Sequence, residues 1–260
     1  MRSILVYADR SDEMTARLET ALSLARTTQG HISVLIDTPV ARFMAMDAMG
    51  GGYLAADAVR DAVERDDAFA TELAAHLTRE DVPFSILRGE EEPVEALAEA
   101  ALLADVVILS RDCDFAGQLT VTGRVPVLLV SAETSLGTPV ESVAIGWDGT
   151  QEAAAAVRSA LPLLRLANKV TLLTVGEKPS AFPATDAAEY LSRHGVKAEV
   201  LPLDRVGSIE ETLASAVARL DAKLLVMGAF GHSRLREFLI GGVTRYFLQL
   251  VNGPALLLAH

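Results

Sequence analysis

Hydrophobic residues recur along this 260-residue chain in two alternating patterns: short continuous apolar runs and longer stretches with helical spacing. The runs at 4–7, 32–36, 84–87, 106–109 and 125–130 are typical of buried parallel strands. The stretches at 13–27, 53–78 and 94–103 place apolar side chains at helical intervals, as in helices packed on a sheet. Strands that alternate with helices at these lengths predict βαβ units and a parallel sheet.

The pattern starts again after a polar, aperiodic segment at 131–139, which we interpret as a linker. Residues 143–150 align with 4–11, the helical stretch 152–166 aligns with 13–27, and the run 224–228 aligns with 106–110. Internal repetition over both halves predicts two tandem α/β domains of ordinary size, at residues 1–135 and 139–260.

Glycines cluster in the second half, directly after the apolar run at 224–227. Gly228 and Gly231 follow that predicted strand, and Gly241 and Gly242 precede a predicted helix at 243–251. Open α/β sheets bind ligands at the carboxyl ends of their strands, and the free N–H groups at the start of a helix attract anions. We therefore interpret this stretch as a phosphate-binding turn.

The first half lacks this turn. The distance from Ser110 to Pro126 is 16 positions, whereas the equivalent distance from Gly228 to Pro254 is 26 positions. Cys113 stands where the second half has a glycine, and a side chain there disfavours positive φ and crowds a ligand. The short segment has no room for both a glycine turn and a following helix of similar length. We expect only the second half to bind phosphate in this way.

Composition narrows the ligand class. A formal net charge of −12 argues against a nucleic-acid surface, whereas a small anion is compatible with it because local backbone dipoles act at short range. A single cysteine excludes an intramolecular disulfide and a multi-cysteine zinc site. No apolar run reaches the roughly 18 residues of a membrane span, and the first run is too short for a signal peptide. We expect a soluble, cytoplasmic protein without a membrane contact.

Together these features resemble the universal stress protein family in its tandem form. Nucleotide-binding members carry Gly-x-x-Gly, nine further residues, and then Gly followed by Ser or Thr. Gly228, Gly231 and Gly241 have this spacing, and His232 with Ser233 follows the second glycine. The resemblance covers essentially the whole chain. It implies Rossmann-like domains of the adenine nucleotide alpha hydrolase type, each a five-stranded parallel sheet with helices on both faces.

The resemblance also implies a site for an adenine nucleotide, ATP or AMP, in the second half, with Mg²⁺ accompanying ATP. Asp148 would contact the adenine or ribose end, and Val175 would offer its backbone to the adenine. The ribose and phosphates would lie against Gly228, Gly231, His232, Gly241, Gly242, Val243 and Thr244. One position departs from the family pattern: Gly242 stands where a hydroxyl residue is usual, which removes a donor to phosphate, although Thr244 follows two residues later.

The glycine segment contains no convincing general base, arginine finger or Walker-type lysine. We therefore expect a stress-response protein in which the nucleotide is regulatory and hydrolysis is absent or slow. The alternative is an interaction scaffold that has lost nucleotide binding. In both cases the two copies would form an intramolecular pseudo-dimer around a pseudo-two-fold axis. Two chains could also form a homodimer. We expect a protein partner, which the sequence does not identify.

Several residues have a plainer interpretation. Asp9 and Asp148 each precede a helix and suit the role of N-cap, which for Asp9 is the favoured one. Trp147 is expected to pack in the core. Cys113 lies between Asp112 and Asp114, whose charges raise a thiol pKa and lower its reactivity. Methionines at 44, 46 and 49 suggest a mobile loop, or alternatively a flap or an apolar contact surface.

Overall fold

The computed structural model describes residues 1–38, 52–132, 135–176, 182–229, 241–250 and 253–260. The first half contains, in order, β1 (Ser3–Tyr7), α1 (Met14–Thr28), β2 (His31–Asp37), α2 (Gly52–Leu77), β3 (Phe84–Gly89), α3 (Pro93–Ala100), a 3-10 turn (Ala101–Leu103), β4 (Val106–Ser110), α4 (Ala116–Thr122) and β5 (Val127–Val130). The second half contains β6 (Val140–Gly146), α5 (Gln151–Leu164), β7 (Ala167–Val175), α6 (Ala184–Arg193), β8 (Ala198–Leu203), α7 (Ile209–Arg219), β9 (Leu224–Gly228), α8 (Gly242–Gln249) and β10 (Ala255–Ala259).

Strands in the described ranges form one ten-stranded sheet, in the order β3-β2-β1-β4-β5-β10-β9-β6-β7-β8. Five parallel strands come from each half, and the strand order of the second half mirrors that of the first. The predicted fold class is therefore confirmed. The halves meet through an antiparallel pair, β5 with β10, in which Leu257 lies opposite Leu128. This joint is a feature that the hydrophobic pattern does not predict.

Strand direction reverses at the joint between β5 and β10. Within each half, all the parallel strands end at the same edge of the sheet. Because β5 and β10 run in opposite directions, the carboxyl edge of the first half lies beside the amino edge of the second. The two edges at which an α/β sheet binds ligands therefore lie on opposite sides of the molecule.

Alternate strand residues face two separate cores, as the pleat requires. Ile4 and Val6 of β1 face a layer formed by α1, α2, α5 and α6. Leu5 faces the opposite layer, formed by α3, α4, α7 and α8. Each core contains residues of both halves, so helices from the two repeats share the same apolar layer.

The predicted linker is packed on α1. Leu136 is only 2% exposed, and its N–H donates to Thr20 Oγ1 at 2.9 Å. Thr138 donates its N–H to Ser23 Oγ at 2.9 Å and its hydroxyl to the Ser23 carbonyl at 3.0 Å. The polar residues that predict a linker thus hydrogen-bond to the first half and fix the connection.

Helix α4 shows where the first half has been shortened. Five residues (111–115) separate β4 from α4, whereas thirteen (229–241) separate β9 from α8. The helix of seven residues is present, so the shortening removes the glycine turn, as the segment length predicts. Neither α4, α6 nor β10 is predicted by the hydrophobic pattern. Met44, Met46 and Met49 lie outside the described residues.

Candidate functional site at the carboxyl edge of the second half

Three strands of the second half end side by side. β6 pairs with β9 and with β7, so that Gly146 lies opposite both Met227 and Leu173. Asp148, Val175 and Gly228 follow or end these neighbouring strands and therefore lie at one edge. Gly231 and His232, as well as Arg234 and Arg236, fall outside the described residues.

Helix α8 begins at the same edge. Because β9 and β10 are parallel, the helix that connects them runs back across the sheet and starts beside the carboxyl ends. Its N-cap is Gly241, and no side-chain cap is found there among the described residues. Gly241 and Gly242 are exposed, and a Cβ added to either would meet no described atom within 4 Å. The start of the helix thus carries N–H groups and a partial positive charge that no described side chain caps.

The hydroxyl of Thr244 is poorly placed to compensate for Gly242. Thr244 is only 4% exposed, and Val243 is half-buried against the core beneath α8. In this arrangement the backbone N–H groups of the first turn, rather than a side-chain hydroxyl, are the donors that an anion at the helix start can reach.

Gly228 is required by packing. A Cβ at this position would lie 2.5 Å from the backbone nitrogen of Ala153 and 2.5 Å from the carbonyl carbon of Glu152. The end of β9 therefore packs directly on the first turn of α5, and only glycine fits. This requirement holds with or without a ligand, so Gly228 is a weaker ligand signal than its place in the motif suggests.

Asp148 is exposed and is held by the residue that starts α5. Its Oδ1 accepts hydrogen bonds from the Thr150 N–H at 3.1 Å and from the Thr150 hydroxyl at 2.7 Å. Thr150 is the N-cap, because its side chain accepts from the Ala153 N–H. The interpretation of Asp148 as an N-cap is therefore wrong. Its carboxylate is a fixed, solvent-facing acceptor.

Trp147 packs in the core, as predicted, and its Nε1 donates to the Phe182 carbonyl at 3.0 Å. This side chain lies one residue before Asp148 and is the only tryptophan in the chain. On the neighbouring strand, Val175 is half-buried and is followed by Gly176 with φ +83°. A positive φ is a conformation that glycine adopts without strain.

The start of the glycine segment is fixed by residues that the sequence does not single out. The Ala229 N–H donates to the Ala259 carbonyl at 2.9 Å, and His260 Nδ1 lies 2.9 Å from the Ala229 carbonyl. A hydrogen bond from His260 requires the tautomer with its proton on Nδ1. No sequence pattern indicates this contact, because it joins two segments only through the pairing of β9 with β10.

At the corresponding edge of the first half, the equivalent acidic residue is paired with a side chain of its own half. Asp9 occupies the place of Asp148 and binds Arg17, which is 1% exposed, with Arg17 Nη1 donating to Asp9 Oδ2 at 3.1 Å. Burial raises the pKa of Asp9, but hydrogen bonds from Arg17 and Ser11 outweigh it, and the net shift is downward. The N-cap of α1 is Glu13, so the interpretation of Asp9 as a cap is wrong. Its role is to pair with a buried arginine.

Asp37 and Cys113 also lie at this edge of the first half. Asp37 occupies the place of Val175, and burial raises the pKa of its carboxyl, which hydrogen-bonds to Tyr7. Burial also raises the pKa of the Cys113 thiol to about 12, with Asp114 contributing in the same direction. The predicted direction for Cys113 is confirmed, although burial outweighs the neighbouring carboxylates. No cluster of three metal-ligating side chains occurs among the described residues.

Residues 140–258 match the model of the universal stress protein family. The second half of the chain is therefore similar to the universal stress protein family. The resemblance predicted from the glycine spacing is thus confirmed. None of the curated proteins is similar enough in sequence to match the chain.

Two solved structures share this fold over nearly the whole chain. A universal stress protein from Archaeoglobus fulgidus DSM 4304 is 14% identical, with 98% of this chain and 97% of that chain covered and a TM-score of 0.70. A functionally unknown protein from Pseudomonas aeruginosa PAO1 is 19% identical, with 100% and 92% covered and a TM-score of 0.62. At these identities the likeness establishes the fold. No helix in the described parts of the chain is long and apolar enough to cross a membrane.

Proposed function

We propose that the second half binds an adenine nucleotide, ATP or AMP, as a regulatory ligand in a stress response. The observation that carries the proposal is the open start of α8, where Gly241 and Gly242 lie exposed at the same edge as Asp148. An anion at a helix start gains both free N–H donors and a favourable dipole. The family match, over residues 140–258, includes every strand that forms this edge.

In this proposal the two ends of the nucleotide meet different chemistry. Asp148 accepts a hydrogen bond from the ribose or adenine, and the backbone at Val175 faces the adenine. The phosphates lie on the N–H groups of Gly241, Gly242 and Val243 at the start of α8. Gly228, Gly231 and His232 complete the proposed site, Thr244 contributes through its backbone N–H in the first turn of α8, and Mg²⁺ neutralises charge when the ligand is ATP.

Regulation rather than turnover fits the polar groups of the edge. Asp148 Oδ1 already accepts two hydrogen bonds from Thr150, which orients the carboxylate as an acceptor rather than freeing it as a base. Hydrolysis is therefore absent or slow in this proposal. We also propose units at 1–135 and 139–260 in a cytoplasmic intramolecular pseudo-dimer, in which the first unit is structural and a protein partner reads the nucleotide state.

The test is the substitution Gly242→Asp, with Gly242→Ala as its matched control. A carboxylate in the first turn favours the helix dipole, by about 0.5 kcal/mol, so the fold is kept. The same carboxylate repels phosphate, so the protein should no longer bind ATP or AMP. Equilibrium dialysis and Trp147 fluorescence measure this binding. Gly242→Ala retains the N–H and places its Cβ in open space, so it should bind nearly as wild type.

Nucleotide binding that survives Gly242→Asp would place the ligand elsewhere and contradict the proposed site. A wild-type protein that releases no adenine nucleotide on denaturation and shows no Trp147 response to titration would contradict nucleotide binding itself. The interaction scaffold, with Gly242 as the sign of a lost site, would then be the better description.

A further inference from the structure

Arg111 of the first half forms two hydrogen bonds with the second half. Its Nη1 donates to the Phe247 carbonyl, and its Nη2 donates to the Pro254 carbonyl, 136 and 143 residues further along the chain. Phe247 lies in the last turn of α8, and Pro254 directly precedes β10. Arg111 is 8% exposed, so this guanidinium is enclosed between the halves.

The contact has the chemistry of a helix C-cap supplied from outside the helix. The last carbonyls of a helix lack intrahelical partners and carry partial negative charge, which a cation stabilises. Burial lowers the pKa of Arg111 to about 10, which leaves it charged at neutral pH. Gly253 packs beside the guanidinium group of Arg111: a Cβ at this position would lie 3.4 Å from Arg111 Cζ.

The two halves match in backbone at this position and differ in side chain. The Arg111 N–H donates to the Val130 carbonyl at 2.8 Å, and the equivalent Ala229 N–H donates to the Ala259 carbonyl at 2.9 Å. In the second half this position opens the glycine segment. In the first half the segment is short, and the arginine reaches into the neighbouring repeat instead.

We propose that Arg111 positions helix α8 and thereby holds Gly241 and Gly242 in place for the nucleotide site of the other half. The inference rests on the proposed function. α8 has eight residues and is therefore about 12 Å long. Its end at Phe247 is anchored to the carboxyl edge of the first half, while its start lies at the carboxyl edge of the second. A helix this short moves as a unit, so the anchor at one end sets the N–H groups at the other.

The experiment compares Arg111→Met, Arg111→Lys and a control, Arg88→Met, in the full-length chain. Arg88 donates hydrogen bonds to the Asp66 carbonyl and the Asp67 carboxylate, both in the first half. Its loss should therefore destabilise the first half without changing the contacts of α8. Two quantities are measured: hydrogen exchange of residues 242–250 without nucleotide, and the Kd for ATP and AMP by equilibrium dialysis.

Arg111→Met should speed exchange in α8 and raise the Kd about tenfold, within the usual range of coupling between sites. Arg111→Lys should restore part of both, since an ammonium group can still donate to one of the carbonyls. Arg88→Met should leave exchange in α8 and the Kd unchanged.

Faster exchange in α8 with an unchanged Kd would overturn the positioning role, and so would equal effects of Arg88→Met. If the wild-type protein binds no nucleotide, the proposed function fails and exchange alone decides the anchor. Protection lost in Arg111→Met would then support the anchor, and unchanged protection would overturn it.

Discussion

Equivalent residues in the two halves differ in charge and in the partners they bind. Arg17 stands where the second half has Ala156, and it pairs with Asp9 at the first edge. Arg111 stands where the second half has Ala229, and it bonds the other repeat. The alignment of the halves reveals these charged substitutions. It does not reveal their partners, because ion pairs depend on which turns the fold brings together.

Asp9→Asn should lower the free energy of unfolding by roughly 1 to 2 kcal/mol at neutral pH, because it removes the counter-charge of the buried Arg17, while the 36% exposure of Asp9 lets water screen the pair. Although burial raises the pKa of Asp9, its hydrogen bonds depress it, so the stabilisation exists above the unfolded-state pKa of about 4 and disappears as the pH falls through the lower folded value. Urea denaturation of both proteins should therefore show a gap that narrows in acid.

The control for Asp9→Asn is Glu189→Gln, which removes the exposed ion pair with Arg193. Such a pair contributes only roughly a few tenths of a kcal/mol to the free energy of unfolding, so the control should be almost as stable as the wild type. An effect of Asp9→Asn no larger than that of the control, or a gap that widens in acid, would refute the buried pairing.

Glycines that look alike in the motif differ in their surroundings. Gly228 is confined by the start of α5, whereas a Cβ at Gly241 or Gly242 would meet no described atom within 4 Å. Spacing in the sequence predicts all of them as ligand residues. Only the crossing of β9 with α5 separates packing from binding, and that crossing depends on tertiary structure.

Among the elements, the sequence predicts β1, α1 and β4 to within a few residues, because continuous apolar runs or many apolar side chains mark them. Helix α6 is short and buries only Ala187 and Leu191, so few apolar side chains mark it in the sequence. Helix α4 contains glycine and threonine, which are poor helix formers. Strand β10 is a plain apolar run, Ala255–Ala259, and the repeat could have revealed it as the counterpart of β5 in the second half.

The linker behaves as part of the first half's core. Leu136→Ala should destabilise the protein by about 2 to 3 kcal/mol, because this side chain is buried against α1. Gly137→Ala, one residue later, should be close to neutral, since its Cβ would meet no described atom within 4 Å. Urea denaturation of the two variants tests the difference. Equal, small effects would show a linker that does not pack.

At the scale of the whole molecule, the antiparallel joint and the shared cores make one body of two repeats. The joint lies beyond sequence analysis because edge pairing of β5 with β10 requires both halves to be folded and oriented. The mirrored strand order then follows from the pairing.

Shared cores predict that the halves unfold together. Leu24→Ala creates a cavity in the first half and should cost about 2 to 5 kcal/mol. Trp147 fluorescence reports on the second half, and far-ultraviolet circular dichroism reports on both halves. The unfolding midpoints measured by the two methods should decrease by the same amount. Two separate transitions, with the Trp147 signal unchanged in the variant, would show independent halves.

The packed connection across Leu136 and Thr138 also lowers the free energy that the β5–β10 pairing must contribute to hold the two repeats together. Two unconnected repeats would have to meet by diffusion, and their association would depend on how much protein the cell contains. A short tether gives the two edge strands an effective concentration in the roughly millimolar range. Three paired positions in the register can therefore suffice, and the assembly stays intact at any dilution.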